Sequence, residues 1–296
     1  MKILNFGSCN IDCVFSVEHI VKPGETLQAC GFAKFPGGKG LNQAIAIAKA
    51  GGKVYFAGCV GSDDTMLRPI LTQAGVDISN LLEGETPTGQ AIIQVDEKGE
   101  NSIIINRGAN GAVTEEHIDK VLEQFEEGDI LLIQNEISNL LYLIKGAAAK
   151  KMKILLNPSP FENSLKEIEL QDLYGIILNE VEAMQWSGLE SAENFLDWIK
   201  EAYPHLQVVL TLGKEGSILL RDGKRYRQPT FKVETVDTTG AGDTFTGYYV
   251  AGLCDGLKNE RLMERASAAA AISVSRKGAA SSIPSAIEVA TFLENH

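Results

Sequence analysis

The strongest constraint on the fold is a repeated alternation between short apolar runs and segments of helical composition. Five runs are mostly apolar and stop at Gly, Asn or Pro: KVYFAGCVG (53–61), DILLIQNE (129–136), KILLNPSP (153–160), YGIILNE (174–180) and QVVLTLG (207–213). Strands of this kind are typical of parallel sheets that helices cover on both faces. The sequence therefore predicts a three-layer α/β fold with a mostly parallel central sheet flanked by helices.

Two stretches interrupt this alternation. Residues 11–36 contain short apolar runs and Pro23-Gly24 but no helical period, and the strand-like runs AIIQV (91–95) and NSIIIN (101–106) flank the turn D-E-K-G. That second pattern is typical of a β-hairpin. Neither stretch has a crossover helix, so we predict that about 11–36 and 88–107 form a small β-sheet lid, inserted in a single domain that spans 1–296.

The composition limits the classes of partner. The chain has 296 residues, and its 27 Lys and Arg against 39 Asp and Glu give a net charge of −12, which disfavours nucleic acid or an anionic membrane as partner. Its cysteines lack the close pairs of a zinc or disulfide site, and stand at Cys9, Cys13, Cys30, Cys59 and Cys254. Without a signal peptide or an apolar run of about 18 residues, we expect a cytoplasmic protein.

A first glycine cluster, P-G-G-K-G-L-N-Q (36–43), precedes the helical segment AIAIAKAGG. Its glycines allow tight turning and close approach of a ligand to the backbone. Lys39 and Asn42 can project from the first turn of the helix that follows. The cluster fits neither the Walker pattern, which needs Ser or Thr after Gly-Lys, nor the dinucleotide fingerprint. A helix start with a surface lysine is the alternative.

Polar residues near the ends of two predicted strands can converge with this cluster. Asn10 and Asp12 follow the first strand, MKILNFG, and Glu136 ends the strand DILLIQNE. Ligands of open α/β sheets bind at the carboxyl ends of strands. With Lys39 and Asn42, these side chains offer mixed donors and acceptors that suit a polyhydroxylated molecule. Each residue alone could equally be a capping or loop group.

A second glycine cluster, V-D-T-T-G-A-G-D-T-F-T-G (236–247), precedes another apolar helix-like stretch. Gly240, Ala241 and Gly242 would then lie at a helix N-terminus, where free N–H groups form an anion hole suited to a phosphoryl group in transfer. Asp243 lies in the same turn and could accept a proton from an attacking hydroxyl. The alternative role of Asp243 is to stabilise the helix dipole.

The pair G-G-K-G-x-N-Q and D-T-x-G-A-G-D-T-F resembles the two signature motifs of the PfkB carbohydrate kinase family. The resemblance runs over nearly the full length and includes Gly7-Ser8, Pro23-Gly24-Glu25-Thr26, Thr88-Gly89, Asn157-Pro158, Asn179-Glu180-x-Glu182, Thr211-Leu212-Gly213, Arg276-Lys277-Gly278-Ala279 and Pro284. It implies Mg²⁺-dependent transfer of the γ-phosphoryl of ATP to a sugar hydroxymethyl oxygen. Asp243 would be the base, and the Gly240, Ala241 and Gly242 amides would be the anion hole.

The resemblance also implies three further sets of residues. The sugar-binding positions are Asn10, Asp12, Gly38, Lys39, Asn42, Glu136 and Asp243. The nucleotide-binding positions are Asn179, Thr211, Gly213 and Gly216, with Glu182 helping to organise magnesium and phosphate. An activating potassium ion would be bound at Asp237, Thr239, Ser273, Arg276, Gly278 and Ser282, partly through backbone carbonyls.

Within the family, the sugar-side residues are most similar to those of members that phosphorylate the 5-hydroxyl of D-ribose. The open alternatives are fructose, deoxyribose, ketodeoxygluconate or a nucleoside, and Phe32, Phe35 and 134–136 could tune the pocket for another sugar. A non-catalytic sensor on the same fold would not need Asp243. Because exposed lid strands are prone to pairing and related kinases cover them, we also expect a homodimer through the lid.

Overall fold

The computed structural model describes residues 1–296. Its strands are β1 (Ile3–Phe6), β2 (Asn10–Ser16), β3 (Gly31–Gly37), β4 (Val54–Gly61), β5 (Asp77–Gly84), β6 (Gly89–Val95), β7 (Asn101–Asn106), β8 (Ile130–Gln134), β9 (Lys153–Asn157), β10 (Gly175–Asn179), β11 (Gln207–Thr211), β12 (Ser217–Arg221) and β13 (Lys224–Gln228). Its helices are α1 (Lys39–Lys49), α2 (Leu67–Gln73), α3 (Glu115–Leu122), α4 (Leu140–Ala149), α5 (Glu180–Ser187), α6 (Ala192–Ala202), α7 (Ala241–Cys254), α8 (Asn259–Val274) and α9 (Ala286–Glu294).

The central sheet has nine strands in the order β13-β12-β11-β10-β9-β8-β1-β4-β5. Every pair from β11 to β5 is parallel, and β11-β12-β13 is antiparallel at one edge. All five predicted strands are present, and the prediction of a mostly parallel sheet is confirmed. The antiparallel edge was not predicted, although the Asp222-Gly223 turn between β12 and β13, with φ of 51° and 70°, is a strong hairpin signal.

The sheet separates two hydrophobic cores. One core packs α1, α2, α7, α8 and α9 on the first face, with Tyr248 and Tyr249 among its largest buried side chains. The other core packs α3, α4, α5 and α6 on the opposite face. Both faces of each central strand are covered, which is why these strands are apolar throughout. The predicted three-layer architecture is therefore confirmed. None of the helices is long and apolar enough to cross a membrane.

A second sheet of four strands, in the order β3-β2-β6-β7, is built from the two stretches that lack a crossover helix. Its β6–β7 pair is the predicted hairpin. Because directly opposed residues share a face, Asp12 lies on the same face as Phe35 and Ala91, and Ala91 in turn faces Ile105. Phe32 is opposite Phe15 on the other face, with ring centroids 4.7 Å apart. Phe32 thus lies on the face opposite Asp12, and of the two aromatic residues only Phe35 shares the face of Asp12.

Candidate active site

The first motif forms the start of α1. Gly38 is its N-cap residue, with φ of 92°, and the helix begins at Lys39. Gly40 is thus inside the first turn, where a Cβ would overlap the backbone of Gly7 and Ser8. Only glycine lets the helix end approach the β1–β2 connection this closely. The backbone N–H of Leu41 donates to the Ser8 carbonyl at 2.9 Å, so α1 is fixed beside the strand that carries Asn10 and Asp12.

The predicted sugar-binding residues come from the small sheet, from the turn after β8 and from the starts of α1 and α7. Asn10 and Asp12 lie on β2 of the small sheet rather than on a loop after β1. The side-chain amide of Asn110 donates to Asn10 Oδ1 at 2.8 Å and to the Cys9 carbonyl at 3.1 Å, and Asn110 Oδ1 accepts from the Cys9 N–H at 2.9 Å. Asn110 therefore positions Asn10, and nothing in the sequence pattern pointed to it.

Glu136 connects the central sheet to the first motif. One of its carboxylate oxygens accepts from the Lys39 N–H at 3.0 Å and from the Ser8 hydroxyl. Burial raises the pKa of Glu136, although Lys39 and the Ser8 hydroxyl act against it. Burial, reinforced by the nearby charge of Glu136, raises the pKa of Asp12 to about 6. Asp12 and Glu136 thus form a partly buried acidic pair, and Glu136 also lies beside Lys39.

Lys39 balances this acidic surrounding. Burial opposes its charge, but the carboxylates of Asp243, Glu136 and Glu182 together raise its pKa. The lysine remains protonated at neutral pH and is the cationic group of the site. Its position is therefore suited to an anionic ligand that approaches between these carboxylates.

The second motif forms the start of α7. Gly240 is its N-cap residue in the left-handed region, with φ of 73°. The Ala241 N–H donates to the Thr238 carbonyl at 3.3 Å, whereas the N–H groups of Gly240, Gly242 and Asp243 have no hydrogen-bond acceptor in the protein. Free amides at a helix N-terminus attract anions. The predicted anion hole is therefore available mainly through Gly240 and Gly242, and Ala241 is partly engaged.

Asp243 is 7% exposed and is held by the first motif. Its Oδ2 accepts from Asn42 Nδ2 at 3.0 Å, and its Oδ1 accepts from Gln43 Nε2 at 2.9 Å. The two glycine clusters, about 200 residues apart in sequence, thus meet at one carboxylate. Asn42 Oδ1 is buried and has no hydrogen-bond partner, so it is free to accept from a ligand hydroxyl.

A cavity of about 140 Å³ lies between these elements. It brings together the Lys39 ammonium group, the Asp243 carboxylate, the N-terminus of α7 and some of the predicted nucleotide-binding residues. Its lining is Lys39, Asn157, Ser159, Ile177, Leu178, Asn179, Glu182, Thr211, Gly240, Gly242, Asp243 and Thr246. Of the predicted nucleotide-binding residues, Gly213 and Gly216 do not line it, and of the predicted sugar-binding residues only Lys39 and Asp243 do.

Asn179 and Glu182 form a capping box at the start of α5. Asn179 Oδ1 accepts from the Glu182 N–H at 2.9 Å, and Glu182 Oε2 accepts from the Asn179 N–H at 3.0 Å. Glu182 lines the cavity, and its Oε1 makes no hydrogen bond within the protein. The residues that stabilise this helix start are thus also the polar wall of the cavity. Thr211 follows at the end of β11, and Gly213 and Gly216 have positive φ of 55° and 100° in the next turn.

Of the residues predicted to bind potassium, Asp237 and Thr239 lie on the loop before α7, Ser273 lies in the last turn of α8, and Arg276, Gly278 and Ser282 lie on the loop after α8. Asp237 joins the two loops, because its carboxylate accepts from the Thr239 N–H and from the Gly278 N–H, each at 2.9 Å. The hydroxyls of Ser273 and Ser282 are 2.7 Å apart, and Arg276 pairs with Glu288 at 2.6 Å. These side chains are therefore occupied. The carbonyl oxygens that accept no hydrogen bond are those of Asp237, Thr239, Arg276, Gly278 and Ser282.

Two residues of the site were not predicted as functional although both stand in recognised motifs. Gln43 ends G-G-K-G-x-N-Q and contacts Asp243, and Asn157 begins the Asn-Pro pair and accepts from Gln43 Nε2 at 2.9 Å. Gln43 is fully buried and lines no part of the cavity. Its hydrogen bonds to distant parts of the chain are invisible to spacing rules.

The fold and the site define a class: a three-layer α/β kinase with an accessory β-sheet and a phosphate-binding helix start. The family model described as "pfkB family carbohydrate kinase" matches residues 1–286. The chain belongs to this family and is a carbohydrate kinase.

Several relatives of the chain carry a more specific description. A ribokinase of Haemophilus influenzae is 38% identical and is aligned over 98% of this chain and 97% of its own. The crystal structure of a ribokinase from Thermotoga maritima matches with a TM-score of 0.90 at 37% identity over 100% of both chains. The structure of Arabidopsis thaliana ribokinase with ribose and ATP matches with a TM-score of 0.85 at 30% identity, over 99% of this chain and 98% of that one.

Proposed function

We propose that this protein transfers the γ-phosphoryl of ATP to the 5-hydroxyl of D-ribose. The observation that carries the proposal is the position of Asp243 on the same helical turn as the free Gly240 and Gly242 amides, in one cavity with Lys39. A base, an anion hole and a cation are thereby available around one small volume. The ribokinases similar over the full length, one of them solved with ribose and ATP, support ribose as the acceptor.

In the proposed step, Asp243 accepts the proton of the 5-hydroxyl while that oxygen attacks the γ-phosphorus. The new O–P bond forms as the bond between the γ-phosphorus and the β,γ-bridging oxygen breaks, and ADP leaves. The Gly240, Ala241 and Gly242 amides stabilise the phosphoryl oxygens, and Lys39 adds a positive charge. Catalysis in this scheme is mainly positioning and electrostatics.

The sugar is held from both sheets in this proposal. Asn10 and Asp12 approach it from the small sheet, while Gly38, Lys39, Asn42 and Glu136 approach it from the central domain. The unpartnered Asn42 Oδ1 and the raised pKa of Asp12 both mark groups that gain from ligand hydroxyls. We infer that the small sheet acts as a lid that closes over the sugar and excludes water as a competing acceptor.

The nucleotide side uses Asn179, Thr211, Gly213, Gly216 and Glu182. The free Glu182 Oε1 fits a magnesium ion, which favours one or two carboxylates together with phosphate oxygens. The five unpartnered carbonyls of the 237–239 and 276–282 loops fit a potassium ion, because hard monovalent cations favour oxygen ligands. The potassium ion would supply positive charge beside the anion hole.

Substrate choice is tested with an ADP-release assay over D-ribose, deoxyribose, fructose, ketodeoxygluconate and a nucleoside, each with ATP and Mg²⁺. We expect the highest kcat/KM for D-ribose and a product that carries the phosphate on the 5-oxygen. Much slower turnover of ribose than of any other acceptor would overturn the assignment while leaving the kinase class intact.

The role of Asp243 is tested with Asp243→Asn. Loss of the proton acceptor should lower kcat by about 10²- to 10⁴-fold. Asp255→Asn is the matched control, because Asp255 is exposed at the other end of α7 and takes part only in a 3.5 Å surface ion pair with Arg265. A kcat of Asp243→Asn within about tenfold of wild type would contradict the general-base role.

A further inference from the structure

Gln43 is the residue whose environment the proposed reaction leaves unexplained. It is fully buried, yet all of its polar atoms are used. Gln43 Nε2 donates to Asp243 Oδ1 and to Asn157 Oδ1, both at 2.9 Å, and Gln43 Oε1 accepts from Gln134 Nε2 at 2.7 Å. An amide in this position can stabilise the base carboxylate only if its N–H₂ group faces Asp243. The opposite rotamer would place an oxygen against the carboxylate.

The orientation of Gln43 is set by a chain of amides that begins at a backbone carbonyl. Asn5 Nδ2 donates to the Gly40 carbonyl at 2.7 Å, and a carbonyl can only accept. Asn5 Oδ1 therefore faces Gln134 and accepts from Gln134 Nε2 at 3.1 Å. The same Nε2 donates its second hydrogen to Gln43 Oε1, which turns Gln43 Nε2 towards Asp243.

A second series of hydrogen bonds reaches the side-chain amide of Gln43 from the other side. Asn157 Nδ2 donates to the Ile177 carbonyl at 2.8 Å, so Asn157 Oδ1 is turned towards Gln43 Nε2. Both ends of the network thus rest on backbone carbonyls, and every amide between them has one consistent orientation. Asn5 and Gln43 are fully buried and Gln134 is 1% exposed, so water does not compete for these contacts.

We propose that Asn5, Gln134 and Gln43 form an amide relay that positions the catalytic carboxylate of Asp243. Gln43 and Gln134 are positioning residues, because both are at most 1% exposed and act on the reaction through Asp243. The relay joins β1, β8, α1 and α7, so the orientation of the base depends on the packing of both motifs against the sheet. This inference rests on the proposed role of Asp243 as the base.

The relay is tested with Gln43→Met, which keeps the length of the side chain and removes its hydrogen bonds. We expect kcat to fall by about 10- to 100-fold, since one hydrogen bond to a charged acceptor is lost. The KM values for sugar and ATP should stay within about threefold of wild type, because Gln43 contacts neither. Gln207→Met is the control: Gln207 is also buried, and its side chain accepts only from the Tyr249 hydroxyl at 3.3 Å, so kcat should be unchanged.

Gln134→Met tests whether the orientation of Asp243 also depends on the amide next to Gln43. Gln134 reaches Asp243 only through Gln43. Its substitution should therefore lower kcat less, by about three- to tenfold, again without a change in KM. The Gln43→Met/Gln134→Met double variant should match Gln43→Met within about twofold, because both substitutions act through one contact. If Gln43→Met does not fold by circular dichroism and thermal melting, Gln134→Met alone decides the outcome.

Three results would overturn the relay. The first is a wild-type kcat in a folded Gln43→Met or, where that variant does not fold, in Gln134→Met. The second is a rise in KM instead of a fall in kcat, and the third is a fall in kcat of the double variant that equals the product of the falls in the two single variants. Asp243→Asn measured alongside separates the two proposals. An inactive Asp243→Asn with an active Gln43→Met removes only the relay, whereas an active Asp243→Asn removes the general base itself.

Discussion

At the scale of single residues, the site combines charges whose burial changes their proton affinity. Asp12 lies on the small sheet, and burial with the neighbouring Glu136 raises its pKa to about 6. The carboxylates of Asp243, Glu136 and Glu182 stabilise the protonated form of Lys39. Without a sugar, the ionised Asp12 carries a desolvation cost that ligand hydroxyls would offset. In the proposed sugar site, Asp12 would thus favour binding at the expense of the stability of the free protein.

The pH dependence of sugar binding follows from Asp12. Below about pH 6 the carboxyl of Asp12 is protonated and no longer offers a charged acceptor to sugar hydroxyls. The sugar KM should therefore rise as pH falls from 7.5 to 5.5. Initial-rate measurements at saturating ATP would detect this change. In Asp12→Asn, the KM should be higher throughout and should lose this pH dependence. A wild-type KM that is flat over this interval would contradict the assignment of Asp12 to the sugar.

Asp12 also makes a prediction about stability. A raised carboxyl pKa means that the folded state binds the proton more tightly than the unfolded state, so stability falls as pH rises from about 4 to 6. Asp12→Asn should therefore raise the unfolding free energy of the sugar-free protein at pH 7.5 by up to about 3 kcal/mol, and this gain should be lost near pH 4. Thermal melts at both pH values measure it. Glu18→Gln, at an exposed carboxylate just after β2, should leave Tm unchanged.

At the scale of elements, the start of α7 is constrained both in backbone conformation and in space. Gly240 has φ of 73°, and a Cβ there would lie 3.0 Å from both Cα and Cβ of Ala279. Ala279 belongs to the loop whose Gly278 N–H is bound by Asp237 at 2.9 Å. The backbone amides that face the cavity therefore depend on close packing between two loops, and glycine is needed both for the conformation and for the space.

Gly240→Ala should thus reduce both stability and kcat. The strained φ together with the contact to Ala279 should cost about 1–3 kcal/mol of unfolding free energy, and displaced amides should lower kcat by about tenfold or more. Gly256→Ala is a matched control, because Gly256 has φ of 71° just beyond the end of the same helix and open space around its Cβ position. It should lose only about 1 kcal/mol and keep its kcat. Equal kinetic effects in both variants would refute the role of the Gly240 turn.

At the scale of the whole molecule, the small sheet leaves apolar side chains in solvent. Ile103, Ile104 and Ile105 on the edge strand β7 are 52%, 61% and 53% exposed. An exposed apolar edge strand favours pairing with another chain. Ile103 and Ile105 share the face of Asp12, so a partner that covers them would border the sugar side. We propose that a second copy of this chain covers this surface in a homodimer.

The dimer is tested by size-exclusion chromatography with light scattering. Wild type should have twice the 32.0 kDa chain mass, and Ile103→Lys with Ile105→Lys should give a monomer because charges replace the apolar contact. Ile287→Lys on α9 is the control, since Ile287 is 79% exposed and lies outside the small sheet. A monomeric wild-type protein would remove the proposed homodimer.

Much of the fold could be predicted from local patterns. The runs at 129–136 and 174–180 became β8 and β10, and the D-E-K-G turn became the β6–β7 hairpin. Both glycine clusters mark helix starts, at Gly38 and Gly240. These signals are reliable because glycine conformation, turn chemistry and the apolar period act over a few neighbouring residues. The roles assigned to the site residues stay predictions.

Other features required the register between distant segments. The face on which Phe32 lies follows from its pairing with Phe15, and the sequence alone could not separate it from Phe35, which shares the face of Asp12. The pKa of Asp12 depends on burial and on the charge of Glu136, more than 120 residues away. Register and burial are set by packing between elements, which no local pattern contains.

The sequence by itself determined the family, the layered α/β class and the acid beside the glycine-rich helix start, because each depends on short-range chemistry written in contiguous residues. Only the tertiary structure decided what holds that acid. The Asp243 carboxylate is joined through hydrogen bonds to the side-chain amides of Gln43, Gln134 and Asn5, and these four residues come from four elements. Hydrogen-bond direction in a buried network is fixed by all of its members together, so it exists only once the chain has folded.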